Sequence, residues 1–145
     1  MSTNPLRILL VEDNPSDLKL ALHALEAHKL DNPVDVARDG EEVLEHLFAT
    51  REPGAENELP QLILLDLKLP KMGGLEVLER IKSEPDTRQI PVVVLTSSRE
   101  EPDIERAYRL GANSYIVKPV DFNQFCDTVR QLGMYWLLLN EPVRT

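Results

Sequence analysis

With 16 lysines and arginines against 25 aspartates and glutamates, this 145-residue chain has a net charge of -9, which excludes a protein whose main work is to neutralise a nucleic-acid backbone. Its size and 42% hydrophobic content suit one domain with a full core, and a single cysteine, Cys126, excludes any internal disulfide and reads as a small buried residue. The opening Met1-Ser2-Thr3-Asn4-Pro5 has no basic, apolar signal pattern, and no apolar run reaches the roughly 18 residues of a membrane span, so a soluble, cytoplasmic protein is expected.

In chain order, the run Ile8-Leu9-Leu10-Val11 reads as a first strand buried on both faces, and it ends in Glu12-Asp13. Asn14-Pro15-Ser16-Asp17 then supplies a capping side chain, an early proline and early negative charge, the signals of a helix start. Leu18, Ala21, Leu22 and Leu25 keep helical spacing to about Ala27, leaving His23 and His28 on other sides. Val34-Asp35-Val36-Ala37 alternates as an edge strand with one polar face does, and Val43, Leu44, Leu47 and Phe48 mark a second helix over 40–50 with His46 on its surface. The stretch 51–60, rich in proline, glycine and glutamate, is long for a connection that usually takes about 2 to 6 residues, and reads as a surface excursion.

A second buried run, Leu62-Ile63-Leu64-Leu65, delivers Asp66 to its end. The turn Lys71-Met72-Gly73-Gly74 leads to a helix through Leu75, Val77, Leu78 and Ile81, stopped near Pro85. The valine-rich strand 90–95 ends in Thr96-Ser97-Ser98, and a helix from about Pro102 stops at Gly111. Ser114-Tyr115-Ile116-Val117 is the fifth strand, ending in Lys118-Pro119, and a fifth helix follows Asp121. Five strands alternating with five helices, without a repeat or a second composition regime, predict one doubly wound α/β domain over 6–141 with a parallel sheet ordered 2-1-3-4-5 and no separate output domain.

That order gathers Glu12, Asp13, Asp66, Thr96 and Lys118 at one edge of the sheet, where ligands bind in open α/β folds. Each alone reads as a cap or turn residue; together they point to one site. Three adjoining carboxylates repel, and a hard divalent cation held by oxygen relieves them, Mg2+ being the natural choice because it keeps positions for a phosphate. Lys118 and Thr96 then serve phosphoryl oxygens, and Asp66 is the nucleophile that becomes an aspartyl phosphate.

Over 7–140 the chain resembles the receiver domain of two-component response regulators. The resemblance is carried by Glu12-Asp13, Asp66, the Pro70, Met72 and Gly74 of the following turn, Thr96 with Ser97, and Lys118-Pro119. It implies a flavodoxin-like fold, phosphorylation of Asp66 by a sensor histidine kinase, a Mg2+ shell joined by the Lys68 backbone carbonyl, a cis Lys118-Pro119 bond, and Tyr115 as the aromatic that reorients when Thr96 moves toward phosphate. As plain chemistry Tyr115 reads equally as a half-buried strand residue. The long acidic loop, Asn14-Pro15-Ser16-Asp17, Lys71 and Trp136 look most like the regulators paired with phytochrome-type kinases. Receivers are phospho-acceptors that catalyse only their own phosphorylation and dephosphorylation.

Rival readings fare worse. A flavodoxin needs a hydroxyl- and glycine-rich phosphate cradle where Glu12-Asp13 stands, and a haloacid-type phosphohydrolase needs an acid where Lys68 stands. A phosphorylation-independent adaptor would have no use for the intact Asp66, Thr96 and Lys118 set. In the last helix Phe125, Val129, Leu132, Trp136 and Leu139 form an apolar seam, and Met134, Tyr135, Leu137 and Leu138 make its end apolar all round. A symmetric homodimer through that end is expected, with a fold-back onto the fourth helix as the alternative.

Overall fold

The computed structural model describes residues 7–27, 34–48, 59–118 and 122–131. Within them run β1 (Ile8–Val11), α1 (Pro15–Ala27), β2 (Val34–Ala37), α2 (Gly40–Phe48), β3 (Leu62–Leu65), α3 (Gly74–Ser83), β4 (Val92–Thr96), α4 (Glu101–Arg109), β5 (Ser114–Val117) and α5 (Phe122–Gln131). Most of the expected 51–60 excursion, Pro119 with its expected cis bond, and residues 134–139 of the expected interface lie outside the described residues.

The five strands are parallel and ordered β2-β1-β3-β4-β5, the flavodoxin-like receiver fold. Every residue of β1, β3 and β4 is buried, which is why these runs, apart from Thr96 at the end of β4, are aliphatic without alternation. On one face Leu9, Val11, Ile63, Leu65, Val92 and Val94 form a core with Val43 and Leu47 of α2, Val77, Leu78 and Ile81 of α3 and Ala107 of α4. Each such valine, leucine or isoleucine side chain removed from water contributes roughly 1.5–3 kcal/mol before entropy is counted. The chain reverses direction across the sheet after β2, so right-handed crossovers send α1 to the other face, the side of Ile8, Leu10, Leu62, Leu64 and Val93. Gly111 has φ 109 and ends α4, with the Ala112 amide donating back to the Ala107 carbonyl at 2.9 Å, as its expected stop role requires. Among the described residues no helix is long and apolar enough to cross a membrane.

The edge strand corrects the sequence in detail. Val36, on the expected apolar face of β2, is exposed, whereas Asp35 and His46 are half-buried. Asp35 Oδ2 lies 3.3 Å from Arg7 Nη1 and 3.5 Å from His46 Nε2, so His46, placed on the helix surface by its spacing, sits there against Asp35. The reason is position: among the described residues β2 pairs with β1 only, and at this edge Asp35 finds its partners in Arg7, just before β1, and in His46 of α2.

Candidate functional site

Register assembles the site. Val11 and Leu65 are partners across β1 and β3, so Glu12 and Asp66, each one residue on, emerge side by side. The Asp66 amide donates to the Val11 carbonyl at 3.1 Å, the Glu12 amide to Ala37 at 3.0 Å, and the Lys118 amide to Thr96 at 2.8 Å. These bonds carry the sheet one step beyond its strands and fix the backbone under each functional side chain. The Gly74 amide donates to the Leu67 carbonyl at 3.0 Å, and a Cβ at Gly74 would fall on the Leu67 Cα and 2.5 Å from the Asp66 carbonyl oxygen. Only glycine lets α3 start this close to the acceptor strand.

Glu12 and Asp66 are buried and Asp13 is exposed, and one carboxylate oxygen from each lies within 4.8 Å of the others. Lys118 Nζ stands among them, donating to Glu12 Oε1, to Asp17 Oδ2 at 2.9 Å and to Asp66 Oδ2 at 3.1 Å. Asp66 Oδ1 takes the Lys68 backbone amide at 3.1 Å, so both acceptor oxygens are oriented. Burial is the largest influence on Glu12 and pushes its carboxyl from 4.5 to about 7, although Lys118 and the Asn14 amide pull it down. Burial also works against the Lys118 ammonium, but Glu12, Asp17 and Asp66 outweigh it and hold its pKa above the ordinary lysine range. Lys118 is therefore a permanent cation facing several carboxylates. An all-oxygen donor set with more negative than positive charge fits a divalent cation, and this cluster can bind one.

At β4, Thr96 is buried and its Oγ1 accepts the Ser98 amide at 3.4 Å. Tyr115 is half-buried, as its plain reading had it, and its hydroxyl donates to the Ser98 carbonyl at 3.0 Å. Burial, the largest influence, raises the Tyr115 phenol, which stays a donor. Ser98 Oγ in turn donates to Asp103 Oδ2 at 2.6 Å, tying the exit of β4 to the start of α4. Lys68, whose side chain is exposed, lines a groove of about 280 Å³ with Gly74, Ser98, Asp103 and Arg106.

The predicted Glu12, Asp13, Asp66 and Lys118 thus meet, with Thr96 and Tyr115 on the adjoining strands of the same edge. Sequence reasoning missed two residues. Asp17 was read as early helix charge only; the α1 start directly after Glu12-Asp13 was the available signal that its first turn borders the site. Ser97 was paired with Thr96, yet Ser97 is exposed and Ser98 is the buried node. Asn14 does cap α1, its Oδ1 accepting the Ser16 and Asp17 amides at 2.9 and 3.0 Å. The turn after Asp66 is pinned at Lys71, which adopts φ 68 and sits 3.6 Å from both Asp39 and Glu41.

Among known families, the response regulator receiver domain matches residues 8–130. The bacteriophytochrome response regulator AtBRR is 54% identical, with TM-score 0.80 over 96% of this chain and 100% of that one. The phosphorylated cyanobacterial phytochrome response regulator RcpA is 41% identical, with TM-score 0.76 over 93% and 95%. Response regulator Rcp1 of Synechocystis sp. is 39% identical over 137 residues, 94% of this chain and 92% of that protein. A solved Mn2+-bound form of Rcp1 superimposes with TM-score 0.74 at 38% identity, covering 97% of this chain and 100% of that one.

Proposed function

Because the chain belongs to the response regulator receiver domain family, we propose that its 6–141 domain takes a phosphoryl group from a sensor histidine kinase onto Asp66 and passes the change to a partner or along a phosphorelay. The observation that carries this reading is the Asp66 carboxylate: buried at the end of β3, held by Lys118 Nζ and the Lys68 amide, and adjoining two further carboxylates.

An Asp66 oxygen forms a bond to phosphorus as the phosphorus–nitrogen bond of the kinase phosphohistidine breaks, the electron pair leaving with the imidazole. Glu12, Asp13, Asp66 and the Lys68 carbonyl would hold Mg2+, which when bound supplies charge neutralisation for the phosphoryl oxygens. The Lys118 ammonium offers a charged donor to one of those oxygens, and Thr96, whose oxygen accepts the Ser98 amide, offers its O–H to another as it moves toward the phosphate. Moving Thr96 disturbs Ser98, whose carbonyl receives the Tyr115 hydroxyl, and that shared residue is the route by which phosphate on Asp66 reorients Tyr115 at the α4–β5 surface.

Likeness to AtBRR and RcpA supports a phytochrome-type kinase as the donor. Phosphotransfer profiling against the histidine kinases of the same genome tests the donor. Labelling by acetyl phosphate in Mg2+ tests the acceptor: wild type should label and folded Asp66→Asn should not, and labelling that survives the substitution overturns the assignment. The apolar Met134, Tyr135, Trp136, Leu137, Leu138 and Leu139 support a homodimer through the last helix. Trp136→Ala should weaken it by about 2 kcal/mol in sedimentation equilibrium. Wild type that stays monomeric at high micromolar concentration, with and without beryllofluoride, removes the dimer from the account.

A further inference from the structure

We propose that Lys71 is a positioning residue for Mg2+: its ammonium, held by Asp39 and Glu41 at the start of α2, keeps the loop after Asp66 in the shape that presents the Lys68 carbonyl. The proposal rests on the reading that Glu12, Asp13, Asp66 and that carbonyl hold the metal.

The loop 67–73 has few ties that fix its backbone. Its near end is set by the Lys68 amide on Asp66 Oδ1 at 3.1 Å, and its far end by the Gly74 amide on the Leu67 carbonyl at 3.0 Å. Between them the Met72 amide bonds within the loop, to the Pro70 carbonyl at 2.8 Å. Leu69 and Met72 pack against the core, a non-directional attraction that holds the loop down without choosing its dihedral angles. Among the described residues, the polar tie from residues 69–72 to another element is the Lys71 ammonium, 3.6 Å from both Asp39 Oδ2 and Glu41 Oε2.

Lys71 needs that tie because of its backbone. It has φ 68, a left-handed conformation that a residue with a Cβ occupies roughly tenfold less readily than the right-handed one. The anchor opposite is firm. Asp39 is buried, and its Oδ1 caps α2 by accepting the Glu42 amide at 2.9 Å, which leaves Oδ2 for Lys71. A Cβ at Gly40 would fall 2.5 Å from the Met72 Cβ, so this glycine lets the α2 start and the loop come close enough for the ion pairs to form. Asp39 first, then Glu41, raise the Lys71 pKa, so the ammonium stays charged. The two pairs offset the cost of the left-handed residue. Without them Lys71 relaxes toward right-handed backbone and turns the short run back to Lys68 with it. The fraction of chains that present the carbonyl then falls, and affinity for the metal falls by the same factor.

The test is Mg2+ titration of the full chain by calorimetry, with urea unfolding of each variant alongside. Lys71→Met should bind Mg2+ about threefold more weakly, the scale of an exposed ion pair, although removing a cation near a bound dication would by charge alone tighten binding. Lys71→Gly should restore wild-type affinity, because glycine takes the left-handed conformation without the ion pairs. In Asp39→Asn, Glu41→Gln protein, Lys71→Met should weaken binding no further. Equal or tighter binding in Lys71→Met, with or without a loss of stability in urea, overturns the role and leaves the metal site standing. So does a deficit that glycine does not restore, or one that persists without the two carboxylates. Wild type that binds no Mg2+ removes both readings together.

Discussion

Two lysines, at opposite edges of the same sheet, have opposite surroundings. Lys118, where the strands end, is ringed by carboxylates and its ammonium is reinforced. Lys82, where β4 begins, donates to the carbonyls of Arg88 at 3.1 Å and Ile90 at 2.7 Å, and burial alone lowers its pKa. Its neighbours follow the same pattern: Thr87 Oγ1 donates to the Ile81 carbonyl at 2.7 Å, and Asn113 Oδ1 receives the Val92 amide at 2.9 Å. Each of these three side chains completes a backbone bond, and the Lys82 ammonium faces carbonyls rather than carboxylates. At the other edge negative charge exceeds positive, an excess that the proposed cation would offset. Buried polar groups are thus informative by what they leave unbalanced.

The largest effect should come from removing the ammonium. Lys118→Ala leaves the carboxylates facing one another, and urea unfolding with chelator present should show a loss of about 3 kcal/mol. Excess Mg2+ should recover part of it, since a ligand of the folded state stabilises that state by mass action. A loss that ignores Mg2+ would mean the two edges do not differ as argued.

A smaller effect is expected from pH. Unfolded chain ionises Glu12 near 4.5, whereas the folded chain keeps the proton until about 7. Between those values the folded state binds the extra proton, so this carboxyl lowers stability as pH rises through the window and adds no further slope above it; the slope cannot exceed about 1.4 kcal/mol per pH unit. Glu12→Gln should flatten that part of the metal-free stability profile. An identical profile in the variant would show that Glu12 is not the group held protonated.

The smallest effect belongs to the balanced edge. Lys82→Ala should cost about 1 kcal/mol, the scale of neutral acceptors losing a donor at a half-buried position, and the loss should be the same with and without Mg2+. A Mg2+-dependent loss there would erase the distinction.

How legible each edge was follows from what periodicity carries. Aliphatic runs at Ile8–Val11, Leu62–Leu65 and 92–95 announce buried parallel strands because a strand covered on both faces disfavours polar side chains, and the residue that follows each run is placed at an edge by chain geometry alone. Glu12, Asp66 and Thr96 were readable for that reason. The choice of Ser98 over Ser97 was not, since both leave the strand and only the packed exit of β4 decides which is buried. Nor was the polar margin of β2, where Asp35 is held by side chains from before β1 and from α2.

By itself, then, the sequence determined the elements, their order in the sheet and the set of strand-end residues, because those depend on local pattern and on the handedness of short connections. Tertiary structure alone decided the pairing of Lys118 with Asp17, a residue 101 positions away, and the backbone of Lys71. Such contacts depend on which side chains share a donor and how much water each retains, quantities that exist only once the chain has closed around them.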